Sequence, residues 1–227
     1  VFSSAAASAA ALLVAAWSSP AADAPRTGFI AGADFSHAAF FEARGKTYRS
    51  GGQAQEPFAI LRTNGITCVR LRLFTSSAQQ AASNPYNYIN NLDYTLPLAV
   101  RAKQAGLRLQ LDFHYSDTWA DPGKQTKPAA WTNLNFAQLE QRVYEYSRDT
   151  IAAFKQAGAL PDDVQVGNEI TPGLLWPEGR VGGSYDTATQ WSNLGRLLKA
   201  ATRGVQEAAS PAQPRIVIHI DRGGDWA

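Results

Sequence analysis

Apolar and polar positions along this chain switch repeatedly between two periods. GFIAGAD (28–34), ITCVRLRLF (66–74), LRLQLDFHY (107–115), DVQVGNE (163–169) and RIVIHID (215–221) are short, β-rich and largely alternating, and read as strands. Between them the apolar residues recur at helical spacing. EPFAILRTNG stops at Gly65 and LDYTLPLAVRAKQAG at Gly106. NFAQLEQRVYEYSRDTIAAFKQAG runs from an N-cap at Asn135 to Gly158, and DTATQWSNLGRLLKAATRGVQEAAS starts from Asp186. Alternating strand and helix predicts an α/β fold with a parallel sheet covered by helices.

Within each strand the two faces differ. Val69, Leu71 and Leu73 oppose Arg70 and Arg72; Leu107, Leu109, Leu111 and Phe113 oppose Gln110, Asp112 and His114. Val164 and Val166 oppose Gln165, Gly167 and Glu169, while Ile216, Ile218 and Ile220 oppose His219 and Asp221. In the first strand Asp34 shares a face with Gly32. The apolar face is expected against the helices, and the polar face inside a barrel, crowded at the C-terminal strand ends. Segments after strands are long, and those after helices mostly short. That asymmetry predicts a (β/α)8 TIM barrel, whose chemistry sits on the loops after its strands. A doubly wound sheet is the alternative, but no Gly-rich phosphate loop follows any strand. Five units are legible, so the sequence is read as the N-terminal portion of a barrel, about five of eight units, with roughly 100–150 residues still needed for closure.

Composition narrows the partners. The 227 residues carry 21 basic and 19 acidic side chains, a net charge of +2 without any long single-sign block, so neither nucleic acid nor an anionic membrane is expected as a partner. There is no Met, and residues 1–24 are Ala-rich and apolar, with Ala22 and Ala24 in an A-x-A arrangement. This predicts a secretory signal lacking its basic n-region, followed by the partial barrel over residues 25–227, in a secreted, extracellular protein. Cys68 is the single cysteine and excludes an intrachain disulfide or a Cys-based zinc cluster; its apolar setting predicts a buried free thiol.

The candidate chemistry gathers where strands end. Glu169 closes the fourth strand just before a Pro/Gly-rich loop, where a carboxyl in a polar pocket can act as general acid/base. Asn168 beside it can bond a sugar hydroxyl. Arg70 and Arg72 can supply charge for Asp34, Asp112 and a catalytic carboxylate. Trp119, Trp131, Trp176 and Trp226 follow strands and suggest stacking platforms for sugar rings, with one or two of them expected to plug loops onto the barrel. Glu178, flanked by Pro177 and Gly179, reads as loop surface or an outer contact. His37, His114 and His219 lack metal-ligand spacing, and hydrogen bonding to substrate is the better role for His114 and His219.

GADFS, VRLRLF, LDFHYSDTWADPGKQTKPAAW, VGNEITPGLLWPEG and IHIDRGGDW together resemble the family 53 glycoside hydrolases, from about Gly28 to Trp226. The resemblance implies a (β/α)8 barrel of a large retaining clan and an endo-hydrolase of β-1,4-galactan, the side chain of type I arabinogalactan in pectin. It implies that Glu169 is the acid/base and Asn168 the Asn before it. Arg72, with Arg70 as the other choice, resembles the clan's Arg near the nucleophile. Asp34, His114, Trp119, Asp121, Trp176 and His219 fall in segments that line the sugar cleft. Asp112, Asp221 and Trp226 join them as binding candidates from strand ends. The clan's nucleophile is a Glu after strand seven, which this chain does not reach; the fragment alone is therefore expected to be inactive and poorly folded. No cofactor is expected; calcium in some family members lies in a late loop outside this sequence. A monomer is expected. The rival readings are a non-catalytic carbohydrate-binding barrel, a related glycanase acting on glucan, mannan or xylan, and a metal-dependent hydrolase.

Overall fold

The computed structural model describes residues 29–222, so the leader and Trp226 lie outside the described residues. Five parallel strands form one sheet: Gly32–Asp34, Cys68–Leu73, Arg108–Phe113, Asp163–Val166 and Arg215–Val217, here strands one to five. Their order across the sheet is their order along the chain. A doubly wound sheet reverses its strand order at a switch point, and this sheet does not. Right-handed crossovers that always advance in one direction lay every helix on the same side. The result is a partial (β/α)8 barrel.

Burial follows the alternation. Val69, Leu71, Leu73, Leu109, Leu111, Phe113, Val164 and Val166 are fully buried. They share one core with Leu98 of helix Leu92–Gln104, Leu139, Val143, Ile151 and Phe154 of helix Phe136–Gln156, and Leu197 and Val205 of helix Ala188–Ala209. The last two helices pack closely at Gly204, where a Cβ would stand 2.4 Å from the Tyr144 carbonyl oxygen. Helix Phe136–Gln156 begins as predicted, with Asn135 and Gln138 forming a reciprocal capping box. The final helix does not begin on Asp186. Thr187 is the N-cap, its hydroxyl accepting the Gln190 N–H, while Asp186 Oδ1 accepts the indole N–H of Trp191 at 2.6 Å. A 3-10 turn at Gly183–Tyr185 brings the chain in so that Thr187, not Asp186, has the extended backbone of a cap.

Three strand readings were markedly too long; the first, read over 28–34, begins only at Gly32. Strand four ends at Val166, and Gly167 turns the chain with φ 87°, so Glu169 is not on a strand face. Strand five ends at Val217; Ile218 and Ile220, expected under a helix, are 48% and 54% exposed because no described helix covers this edge. Inside the sheet's polar face, the end nearer the strand starts holds Asp163 between Arg108, 3.0 Å away, and Arg215. Cys68 is a buried free thiol, as expected. Loops after strands carry the additional structure, including the short helices Ala38–Glu42, Ala78–Ser83 and Pro85–Tyr88 and the hairpin Gly173–Leu174/Gly179–Arg180.

Candidate active site

Register alone assembles the polar face. Asp34 lies opposite Arg70, Arg72 opposite Asp112, and Asp112 opposite Gln165. Arg70 is the centre of the network. Its Nη1 donates to Asp34 Oδ2 at 2.7 Å, its Nη2 to Asp112 Oδ2 and to Asn168 Oδ1 at 2.7 Å, and its Nε to Gln165 Oε1 at 3.2 Å. Gln165 in turn donates to Asp112 Oδ1 at 2.6 Å. Buried charges are tolerated when paired and fully hydrogen-bonded, and Asp112, with no exposed surface, meets that condition here.

Arg72 points elsewhere. Its Nη2 lies 3.2 Å from Asp34 Oδ1 and 3.1 Å from His37 Nδ1, and its guanidinium sits 4.6 Å from the Trp119 ring centroid. Of the two arginines, Arg70 is thus the one bonded to the residue before Glu169. For Asp34, burial is the largest single influence and opposes ionisation. Arg72, the two hydrogen bonds from Ser36 and Arg70 together outweigh it and hold the carboxyl below its ordinary range.

Glu169 stands just beyond strand four with φ 51°, a left-handed conformation that costs a non-glycine residue about 1–2 kcal/mol. Strand five's extension clamps it there: the Glu169 N–H donates to His219 Nδ1 at 3.3 Å, and the Ile170 N–H to the His219 carbonyl at 2.8 Å. Gly167 is required two residues earlier, since a Cβ there would meet Ile170 Cγ2 at 2.6 Å. The partly exposed Glu169 carboxyl takes no hydrogen bond from the described residues. It faces a cavity of about 390 Å³ shared with Asn168, Trp119, His219, Gln165 and Arg70. Glu169 is the only carboxyl lining it among the described residues. Asn168 is locked by its Nδ2 donating to the Ala120 carbonyl at 2.7 Å. Strained backbone held this firmly at a cavity mouth is a mark of functional sites.

The other candidates divide. His114 is buried behind the cavity: its Nδ1 accepts the Ala120 N–H at 2.9 Å, which leaves the ring proton on Nε2. That Nε2 lies 2.8 Å from Asp112 Oδ2, out of hydrogen-bond alignment. His114 also packs its ring against Trp119 at 5.4 Å, so it supports Trp119 from behind. Trp119 is 39% exposed and lines the cavity; Trp131 is buried against Tyr146 and is one of the plugging tryptophans. Trp176 is outside the Glu169 cavity, with its indole N–H on the Pro172 carbonyl at 3.0 Å and the Arg180 guanidinium 4.2 Å from its ring centroid. Asp121 Oδ1 accepts the Gly123 and Lys124 N–H groups of its own turn. Asp221 follows strand five beside Thr171, also outside the cavity. Glu178, read as loop surface or an outer contact, is ion-paired to Lys127 at 2.6 Å. Sequence reading did not select Gln165 or Gln125. Gln165 could have been found from its place opposite Asp112; Gln125, which donates to the Asn168 carbonyl at 2.8 Å, lies in an irregular loop with no periodic signal. Among the described residues no three His, Cys, Asp or Glu side chains converge as a metal site would need.

Comparison with known proteins agrees with this geometry. The family model for glycosyl hydrolase family 53 matches residues 30–227. The chain is 42% identical over 201 residues to an uncharacterised Niallia circulans protein from the 5' region of bgaB, covering 88% of this chain and 52% of that protein. It is 41% identical over 196 residues to an arabinogalactan endo-β-1,4-galactanase of Thermothelomyces thermophilus, covering 86% and 54%. A solved fungal β-1,4-galactanase superposes with a TM-score of 0.76 at 39% identity, over 87% of this chain and 55% of that one. The chain spans about half the length of the curated relatives it matches. With its ordered parallel strands, its carboxyl after strand four and this match over nearly all its described length, the chain belongs to glycosyl hydrolase family 53.

Proposed function

We propose that the protein carrying this chain is a secreted, monomeric endo-β-1,4-galactanase that hydrolyses internal bonds of type I arabinogalactan. The observation that carries this is Glu169, held in a left-handed turn after strand four with its carboxyl free in a cavity beside Asn168, Trp119 and His219. The relatives' activity supports the substrate, and the Ala-rich leader supports secretion. Among the described residues no helix is long and apolar enough to cross a membrane.

In this reading Glu169 gives its proton to the glycosidic oxygen as the bond to the anomeric carbon breaks, and a second carboxylate takes that carbon. Glu169 then removes a proton from the water that releases the sugar, with retention of configuration. The partner carboxylate must stand roughly 5–5.5 Å away, and we assign it to a later strand of the complete barrel. Arg70, Asp112 and Gln165 hold Asn168 rigid beside the acid, so positioning costs little during the reaction.

The test uses the complete barrel protein. Reducing-end release and viscosity loss on β-1,4-galactan, xylan, mannan and cellulose are measured for wild type and Glu169→Gln. Galactan-selective cleavage that falls about 10²–10⁴-fold in the variant is expected. Undiminished variant activity would assign the acid to another residue, and cleavage of another glycan alone would discard the substrate.

A further inference from the structure

The Glu169 cavity does not end at Trp119. Trp119 also lines a second cavity of about 300 Å³, together with Phe74, Asn87, Tyr86, His37 and Arg72. Tyr86, His37 and Arg72 then border a third, of about 270 Å³, which reaches Phe41 and Asp34. The shared walls make one groove over the ends of strands three, two and one. Its exposed aromatic surfaces are Trp119, Tyr86 and Phe41, at 39%, 63% and 41%.

Tyr86 is held out deliberately by three loops. It lies on the one-turn helix Pro85–Tyr88, far too short to be stable by itself. Three successive carbonyls of that turn are gripped from different segments. The Tyr86 carbonyl takes His37 Nε2 at 3.2 Å, Asn87 takes the Thr118 hydroxyl at 3.0 Å, and Tyr88 takes the Ser76 hydroxyl at 2.6 Å. One face of the Tyr86 ring stacks on His37, with centroids 5.4 Å apart and planes at 21°. His37 is fixed in turn by Arg72. Even with these contacts Tyr86 is 63% exposed.

We infer that this groove binds further sugar rings of the chain being cut, with Tyr86 as a rigid stacking platform in the cavity next to that of Glu169. The chemistry suits a neutral polyol. A flat aromatic face meets the ring's C–H side. Arg72, Asn87 and Asp34 offer hydroxyl partners at the edge. The groove carries no uncompensated charge to favour an ion, since Arg70 and Arg72 are balanced by Asp34 and Asp112. The inference rests on reading the cleft as a glycan-cleaving site.

The test, in the complete protein, compares kcat/KM on a galactohexaose with that on the shortest galacto-oligosaccharide cleaved. Tyr86→Ala is expected to lower the ratio of the two about tenfold, the loss of one aromatic contact; Tyr86→Phe is expected to keep it, with Tm unchanged. An unchanged ratio overturns the platform while galactan cleavage by wild type leaves the proposed activity standing. A parallel measurement follows retardation in galactan-containing gels on a Glu169→Gln background. Retardation that depends on Tyr86, with no cleavage by wild type, would uphold the platform and remove the activity. Neither cleavage nor Tyr86-dependent retardation would remove both.

Discussion

Asp34 and His37 show how much a few neighbours decide. The alternation of strand one put Asp34 on the polar face, and the structure adds what keeps it charged: Arg72, Ser36 and Arg70 outweigh burial. A carboxyl whose folded pKa lies below its unfolded value stabilises the fold above that unfolded value and loses the contribution as pH falls through the folded one. Wild type should therefore lose urea resistance below about pH 4 more steeply than Asp34→Asn, measured as denaturation midpoints across that range. For His37, burial is the main influence and the Arg72 charge the next; both push its pKa down, against smaller opposing effects of the Tyr86 carbonyl and Asp34. His37 is thus neutral at pH 7, and its contribution is present above the unfolded value of about 6.5 and lost on acidification. An NMR titration should place its midpoint below that of a free imidazole; Arg72→Met should raise it. Arg70, Arg72, Asp112 and Glu169 were legible as residues because charged side chains on strand ends are costly without a purpose. The turn that Asp121 makes was not legible, because it is a matter of two backbone N–H directions rather than of residue type.

At the scale of elements, periodicity found the strands and long helices, and local competition decided their ends. Asp186 and Thr187 are both good N-caps, and only the approach of the preceding turn chose Thr187. Thr187→Ala should cost about 1 kcal/mol, read as a lowered Tm, and Asp186→Ala less, since it loses only a bond to an exposed Trp191. The seam between helices Phe136–Gln156 and Ala188–Ala209 gives a sharper expectation. Gly204 meets the backbone of Tyr144 and Arg148, which cannot retreat like a flexible side chain. Gly204→Val should lower stability by about 1–3 kcal/mol or more, whereas a Val at Gly195 on the same helix, where a Cβ meets nothing within 4 Å, should change it far less.

At the scale of the whole molecule, the sheet has two edges among the described residues, strands one and five, and the apolar side chains Phe29, Ile218 and Ile220 are exposed. Unpaired edges with exposed apolar groups invite association. The 227-residue chain by itself should bind a hydrophobic dye and self-associate as its concentration rises, and the complete barrel should do neither; a dye-silent, two-state monomer of 227 residues would refute this. What the sequence by itself determined was the succession of strands and helices, the apolar and polar faces of strands two to four, and Glu169 with Asn168 just after the fourth, because these follow from side-chain period and from the chemistry of single residues. What only the tertiary structure decided was which polar residues meet. Register brought Gln165 beneath Asp112, the left-handed turn aimed Glu169 into the cavity, Arg70 rather than Arg72 reached Asn168, and loops far apart in sequence gripped Tyr86. Those outcomes depend on distances between segments, which a local pattern of residues does not encode.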